Sequence, residues 1–131
     1  MAGELILIVE DSEKNRKLVR DVLQFNGYRT QETDTAEDGI RLAHESHPAL
    51  VIMDIQLPGI DGIAALGRLR ADPERQNIPV IAVTASAMAR DRQRIMDAGF
   101  DGYHTKPIHV KEFVSAVQQI LGRRQGSGGV S

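Results

Sequence analysis

Three apolar stretches and one short mixed segment of this 131-residue chain stop on residues able to do chemistry. Leu5-Ile6-Leu7-Ile8-Val9 runs into Glu10-Asp11, Leu50-Val51-Ile52-Met53 into Asp54, Pro79-Val80-Ile81-Ala82-Val83 into Thr84, and the short segment 101–105 into Lys106. Continuous apolar runs rich in β-branched residues are the pattern of strands covered on both faces, and parallel strands deliver their last residues to one edge of a sheet. That edge would gather three carboxylates, a hydroxyl and an amine. Carboxylates so close repel one another, so one of them holds its proton well above the ordinary range or a cation sits among them. Oxygen donors suit a hard divalent ion, Mg²⁺ or Mn²⁺, whereas zinc prefers nitrogen and sulfur. Taken singly, each residue has a plainer reading: Asp54 as a turn residue, Glu10-Asp11 as a helix cap, Thr84 as a strand terminus, Lys106 as a surface lysine. Their joint placement, spread over the central strands on one edge, is what points to a site.

Helices must lie between these strands. From Ser12, a plausible N-cap, Leu18, Val22 and Phe25 recur at helical spacing until Asn26-Gly27 supplies a stop. The segment 28–33 is short and mostly polar, which predicts an edge strand. Asp34 or Thr35 can cap a second helix with Ala36, Ile40 and Ala43 as its apolar stripe, and Ile63, Leu66 and Leu69 mark a third that stops before Pro73. A charged helix over 88–98 carries Ile95, and the last helix sets Val110, Phe113, Val114, Val117, Ile120 and Leu121 on one face. Beyond Gly122 the sequence turns small and polar, so 1–122 is expected to form the domain and 123–131 a flexible tail or truncated linker. Alternating strands and helices predict an α/β fold, a parallel sheet joined by right-handed crossovers with helices on both faces. In such sheets ligands sit beyond the carboxyl ends of the strands, at a topological switch point.

Composition excludes several classes. Sixteen basic against 18 acidic residues, net −2, give no basic excess for direct nucleic-acid binding. With no cysteine there is neither disulfide nor thiol chemistry, which is compatible with a cytoplasmic protein. No apolar run approaches the roughly 20 residues of a membrane span. The pairs His44/His47 and His104/His109 lack carboxylate or cysteine company, which argues against a metal role.

Glu10-Asp11, Asp54, Thr84-Ala85 and Lys106-Pro107, each closing a predicted strand, resemble the receiver domain of bacterial two-component response regulators. The likeness runs from about Leu5 to Leu121 and fills every signature position; Val9-Glu10-Asp11-Ser12 with Asn15, and Met53-Asp54-Ile55-Gln56-Leu57-Pro58, are most similar to receivers of hybrid histidine kinases and single-domain cell-cycle regulators. The resemblance implies a flavodoxin-like, three-layer, doubly wound sheet of five parallel strands in the order 2-1-3-4-5. It implies a phosphoacceptor of a two-component system or phosphorelay, in which Asp54 takes a phosphoryl group from a histidine kinase or histidine phosphotransfer protein. The domain would promote its own phosphorylation and dephosphorylation, and is not otherwise an enzyme. On the same grounds Asp11 and Asp54 bind Mg²⁺ directly, Glu10 through water, and Gln56 through its backbone carbonyl. Lys106 neutralises phosphoryl charge, Thr84 senses the phosphoryl group, Tyr103 is the switch aromatic, and the Lys106-Pro107 peptide is cis. Gln56 and Ser86 stand where the family varies and water access is tuned. The kinase would meet the surface near Asn15, Leu18 and Ile108. A downstream protein would meet the fourth helix, fifth strand and fifth helix, with Arg90, Arg94 and Lys111 as contacts, and the domain is expected as a monomer or weak dimer away from membranes.

An aspartate-nucleophile phosphohydrolase would want a second Asp where Gln56 stands, and a flavin or dinucleotide carrier would want a glycine-rich phosphate loop where Glu10-Asp11-Ser12-Glu13 would repel one. The remaining alternative is an unphosphorylated pseudo-receiver serving as a docking module, disfavoured because no signature residue is missing.

Overall fold

The computed structural model describes residues 3–129 except 58, 75, 86 and 87, with side chains described as far as Gly122. In chain order the elements are β1 (Leu5–Val9), α1 (Glu13–Phe25), β2 (Arg29–Thr33), α2 (Ala36–Ser46), β3 (Leu50–Asp54), α3 (Gly62–Ala71), β4 (Val80–Thr84), α4 (Ala89–Asp97), β5 (Gly102–Thr105) and α5 (Val110–Gly129). All strand pairs are parallel, in the order β2-β1-β3-β4-β5. The polar β2 lies at the edge, where exposure of its Arg-Thr-Gln-Glu-Thr sequence costs least. The backbone of 123–129, expected as a tail, continues α5, while the side chains from 123 onward, Val130 and Ser131, like Pro58 and Ser86, lie outside the described residues.

Alternation within the apolar strands builds two cores. Leu7, Val9, Val51, Met53, Val80 and Ala82 face α2, α3 and α4 through Ala36, Ala43, Leu66, Leu69 and Ile95. The intervening Ile6, Ile8, Leu50, Ile52, Ile81 and Val83 face α1 and α5 through Val19, Leu23, Phe113 and Val117. Each completely buried aliphatic side chain contributes roughly 1.5–3 kcal/mol, so the central strands cannot slip by one residue without turning these sets inside out. That register is what holds the strand ends level.

Caps mark the helix starts. Ser12 accepts from the Asn15 N–H at 3.3 Å, Thr35 from Asp38 at 3.2 Å and Asp61 from Ala64 at 2.8 Å, each worth about 1 kcal/mol. The first helix is rotated from its sequence expectation. Val19 and Leu23 are buried, while Leu18 is 39% and Phe25 91% exposed. Leu18, Val22 and Phe25 do share a stripe, but one step round from the face that meets the sheet. His104, half-buried, meets the Phe113 ring edge-on at 5.5 Å, and burial lowers its pKa.

Gly62 is the tightest joint beside the site. Its N–H donates to the Ile55 carbonyl at 3.0 Å, and a Cβ there would stand 2.6 Å from the Asp54 carbonyl oxygen and 2.8 Å from the Ile55 Cα. Backbone atoms cannot turn aside as a side chain can. Gly62→Ala is therefore expected to cost about 2 kcal/mol in urea unfolding, whereas Gly67→Ala, with nothing within 4 Å of its added methyl, should be neutral or stabilising by up to about 1 kcal/mol. Equal stabilities of the two variants would contradict this packing.

Candidate functional site

The β1–β3 register aligns Val9 with Met53, so Glu10 and Asp54 continue the ladder side by side in the same phase. Asp54 and Thr84 close their strands and Lys106 follows β5, its N–H donating to the Thr84 carbonyl at 2.8 Å. The four strand ends lie along one edge of the sheet, with the Lys106 side chain in contact with Glu10 and Asp54. Lys106 Nζ lies 2.9 Å from Glu10 Oε1 and 3.1 Å from Asp54 Oδ2. Asp54 Oδ1 accepts from the Gln56 N–H at 2.9 Å, and Glu10 Oε2 from the Ser12 N–H at 3.0 Å. Asp54 is 1% exposed and Glu10 4%, while Asp11 is exposed at the rim.

Carboxylate oxygens of Glu10, Asp11 and Asp54 all lie within 4.8 Å of one another. Burial first, then the side-chain hydrogen bond with Asp54, pushes Glu10 from its ordinary 4.5 up to about 7, although Lys106 and the Ser12 N–H oppose the rise. Burial lowers Lys106, but its pairs with Glu10 and Asp54 outweigh that and leave its pKa raised. One ammonium against three carboxylates leaves an excess of negative charge on oxygen donors, and this donor set fits a hard divalent cation of the Mg²⁺ or Mn²⁺ type.

Around this centre, Gln56 is exposed and its Oε1 accepts from the Ala85 N–H at 3.3 Å, joining the loops that follow β3 and β4. Thr84 is buried at 2%. Tyr103 is half-buried, aligned with Ala82 in the ladder, with the Arg92 guanidinium 5.8 Å from its ring centroid. The Lys106-Pro107 peptide is cis.

Two contacts near the site and beyond it have no signature in the sequence. Arg16 donates from Nη1 to the Glu10 carbonyl at 2.9 Å and from Nε to Glu32 Oε1 at 3.3 Å, a bridge from helix to edge strand that leaves no periodic trace. His44, read above as having no carboxylate company, lies 3.2 Å from Asp72 Oδ2, with Glu74 nearby. Packing of α2 beside α3 brings them together across 28 positions of sequence.

Residues 6–118 match the response regulator receiver domain. The chain belongs to that family. It is a receiver, and its role is phosphoacceptor signalling in two-component systems. A curated relative, the polar-differentiation response regulator DivK of Brucella ovis, is 44% identical over 117 residues, covering 89% of this chain and 95% of that protein; DivK of Brucella anthropi is similar to the same extent. A response regulator of Chloroflexus aurantiacus superposes with a TM-score of 0.88 at 29% identity, covering 92% of this receiver and 99% of that chain. The receiver domain of the sensor histidine kinase PA1611 from Pseudomonas aeruginosa, solved with a magnesium ion coordinated in its active-site cleft, gives 0.85 at 32% identity, with coverage of 92% and 99%. Among the described residues no helix is long and apolar enough to cross a membrane.

Proposed function

We propose that Asp54 accepts the phosphoryl group of a phosphohistidine on a histidine kinase or histidine phosphotransfer protein. The observation that carries this reading is the buried Asp54 carboxylate paired with Lys106 Nζ at 3.1 Å, beside Glu10 and Asp11. Phosphoryl transfer asks a protein mainly for an aligned nucleophile and for positive charge on the phosphoryl oxygens. An Asp54 oxygen attacks phosphorus, the bond from phosphorus to the donor imidazole nitrogen breaks, and the imidazole leaves with that electron pair. In the return step water attacks phosphorus, inorganic phosphate departs, and the Asp54 carboxylate is restored. The receiver promotes both steps itself. Lys106 holds charge at the attacking carboxylate throughout.

Asp11, Asp54, the Gln56 backbone carbonyl and, through water, Glu10 would hold Mg²⁺ or Mn²⁺, which supplies positive charge to the phosphoryl oxygens when bound. Thr84 and Tyr103 then read the state of Asp54, since only a contact made differently in the two states can shift their equilibrium. The output surface is α4, β5 and α5, where Arg90, Arg94 and Lys111 are exposed. The donor meets the surface near Asn15, Leu18 and Ile108.

Incubation with acetyl phosphate and Mg²⁺ is expected to add one base-labile phosphoryl group, seen by intact mass spectrometry. An unmodified mass under those conditions counts against the proposal.

A further inference from the structure

Arg16 touches no reacting atom, yet it grips the backbone from which two of the acids branch. Its guanidinium Nη1 donates to the Glu10 carbonyl at 2.9 Å, and that carbonyl belongs to the peptide joining Glu10 to Asp11. On the other side of the same peptide chain, the Glu10 N–H is already paired with the Thr33 carbonyl at 3.0 Å. Glu10 thus leaves the sheet with its N–H held by β2 and its C=O held by α1. The arginine is itself held. Glu32 is aligned with Ile8 in the β1–β2 ladder, which directs it to the face that α1 covers. There its Oε1 accepts from Arg16 Nε at 3.3 Å and its Oε2 from Arg20 Nη1 at 3.4 Å, so two arginines one helical turn apart clamp one carboxylate. The Arg16 and Glu32 side chains are only 20% and 29% exposed, which limits the competition of water for these bonds.

We propose that Arg16, anchored by Glu32, is a positioning residue for the acidic site: it sets the plane of the Glu10-Asp11 peptide and thereby the places from which these two carboxylates reach a divalent cation. This rests on the phosphoacceptor reading above. Groups that orient metal ligands from behind commonly change metal affinity tenfold or more when removed. Arginine is suited to the task because its planar fork addresses a carbonyl and a carboxylate at once, which a lysine ammonium on a flexible stem does not do with the same geometry.

The plainer role for Arg16 is a brace between α1 and the edge strand, and the two roles part in experiment. Mg²⁺ titration by calorimetry on wild type, Arg16→Ala and Arg16→Lys, at a temperature where circular dichroism shows all three folded, is expected to give affinity about tenfold weaker for Arg16→Ala, with Arg16→Lys between. In the metal-free proteins, the Asp11 and Ser12 amide resonances should shift or broaden in Arg16→Ala. Glu32→Gln, which keeps an acceptor for Arg16, should stay within about threefold of wild type. A lowered melting temperature in Arg16→Ala with Mg²⁺ affinity and both amide signals as in wild type would overturn the proposal and leave the brace. Wild-type protein that fails to bind Mg²⁺ would overturn the reading of the site itself, and this inference with it.

Discussion

Replacing Asp54 with Asn is expected to abolish phosphoryl uptake while stabilising the metal-free fold by about 1 kcal/mol. The loss follows from chemistry, because a carboxamide oxygen is a far weaker nucleophile and cannot form the acyl phosphate. The gain follows from charge. Two buried carboxylates, Glu10 and Asp54, share the Lys106 ammonium at 2.9 and 3.1 Å, and Asp54 is all but removed from water. Asn has nearly the same volume, keeps an oxygen for one of the two donors that now serve Asp54, and leaves Lys106 paired with Glu10. Desolvating one charge fewer outweighs the weakened contact with the ammonium. Urea unfolding of metal-free Asp54→Asn beside wild type checks the sign, and mass spectra of the same samples check the uptake. A variant that is inactive because it is unfolded, or one that still takes the phosphoryl group, would contradict the assignment.

Mg²⁺ should stabilise this receiver far more above neutrality than in mild acid. Glu10 is pushed up to about 7 by burial and by its hydrogen bond with Asp54. A carboxyl raised in the folded state contributes stability below its ordinary 4.5 that is lost as pH rises through about 7. The metal-free protein therefore loses stability across that window. A divalent cation favours the ionised acid cluster, so its binding releases protons below about pH 7 and tightens as pH rises. At ten times the dissociation constant, bound Mg²⁺ adds about 1.4 kcal/mol, or about 3–6 °C in melting temperature for a domain of this size. Melting curves with and without Mg²⁺ at about pH 5 and pH 8 should show the shift growing with pH, and Asp11→Ala should remove it at both. A wild-type melting temperature indifferent to Mg²⁺ at pH 8 would speak against the cation site.

The site was legible because its residues are strand termini. β1, β3 and β4 are continuous apolar runs, so the point where apolar sequence stops marks Glu10, Asp54 and Thr84, whereas Lys106 follows the short, mixed edge strand β5 and stands out only by its place before Pro107. Their mutual distances follow from the parallel register, which five strands and five helices of ordinary length leave little freedom to change. Where the sequence misled, the cause lay in contacts without a period. The stripe Leu18, Val22 and Phe25 satisfies helical spacing as well as the true core pair Val19 and Leu23, and only the sheet beneath decides which face is covered. Charge alone says nothing about Arg16 and Glu32, because the edge strand that carries Glu32 finds its helix partner through tertiary packing. His44 and Asp72 are likewise joined by the packing of α2 against α3.

Reductive trapping addresses the central claim most directly. Borohydride reduces an aspartyl phosphate to homoserine, so protein treated with acetyl phosphate and Mg²⁺, trapped and digested, should yield a peptide with homoserine at position 54 and at no other acidic residue. Reduction at Glu10 or Asp11, or an unmodified Asp54 in protein that carries the phosphoryl group, would contradict the account.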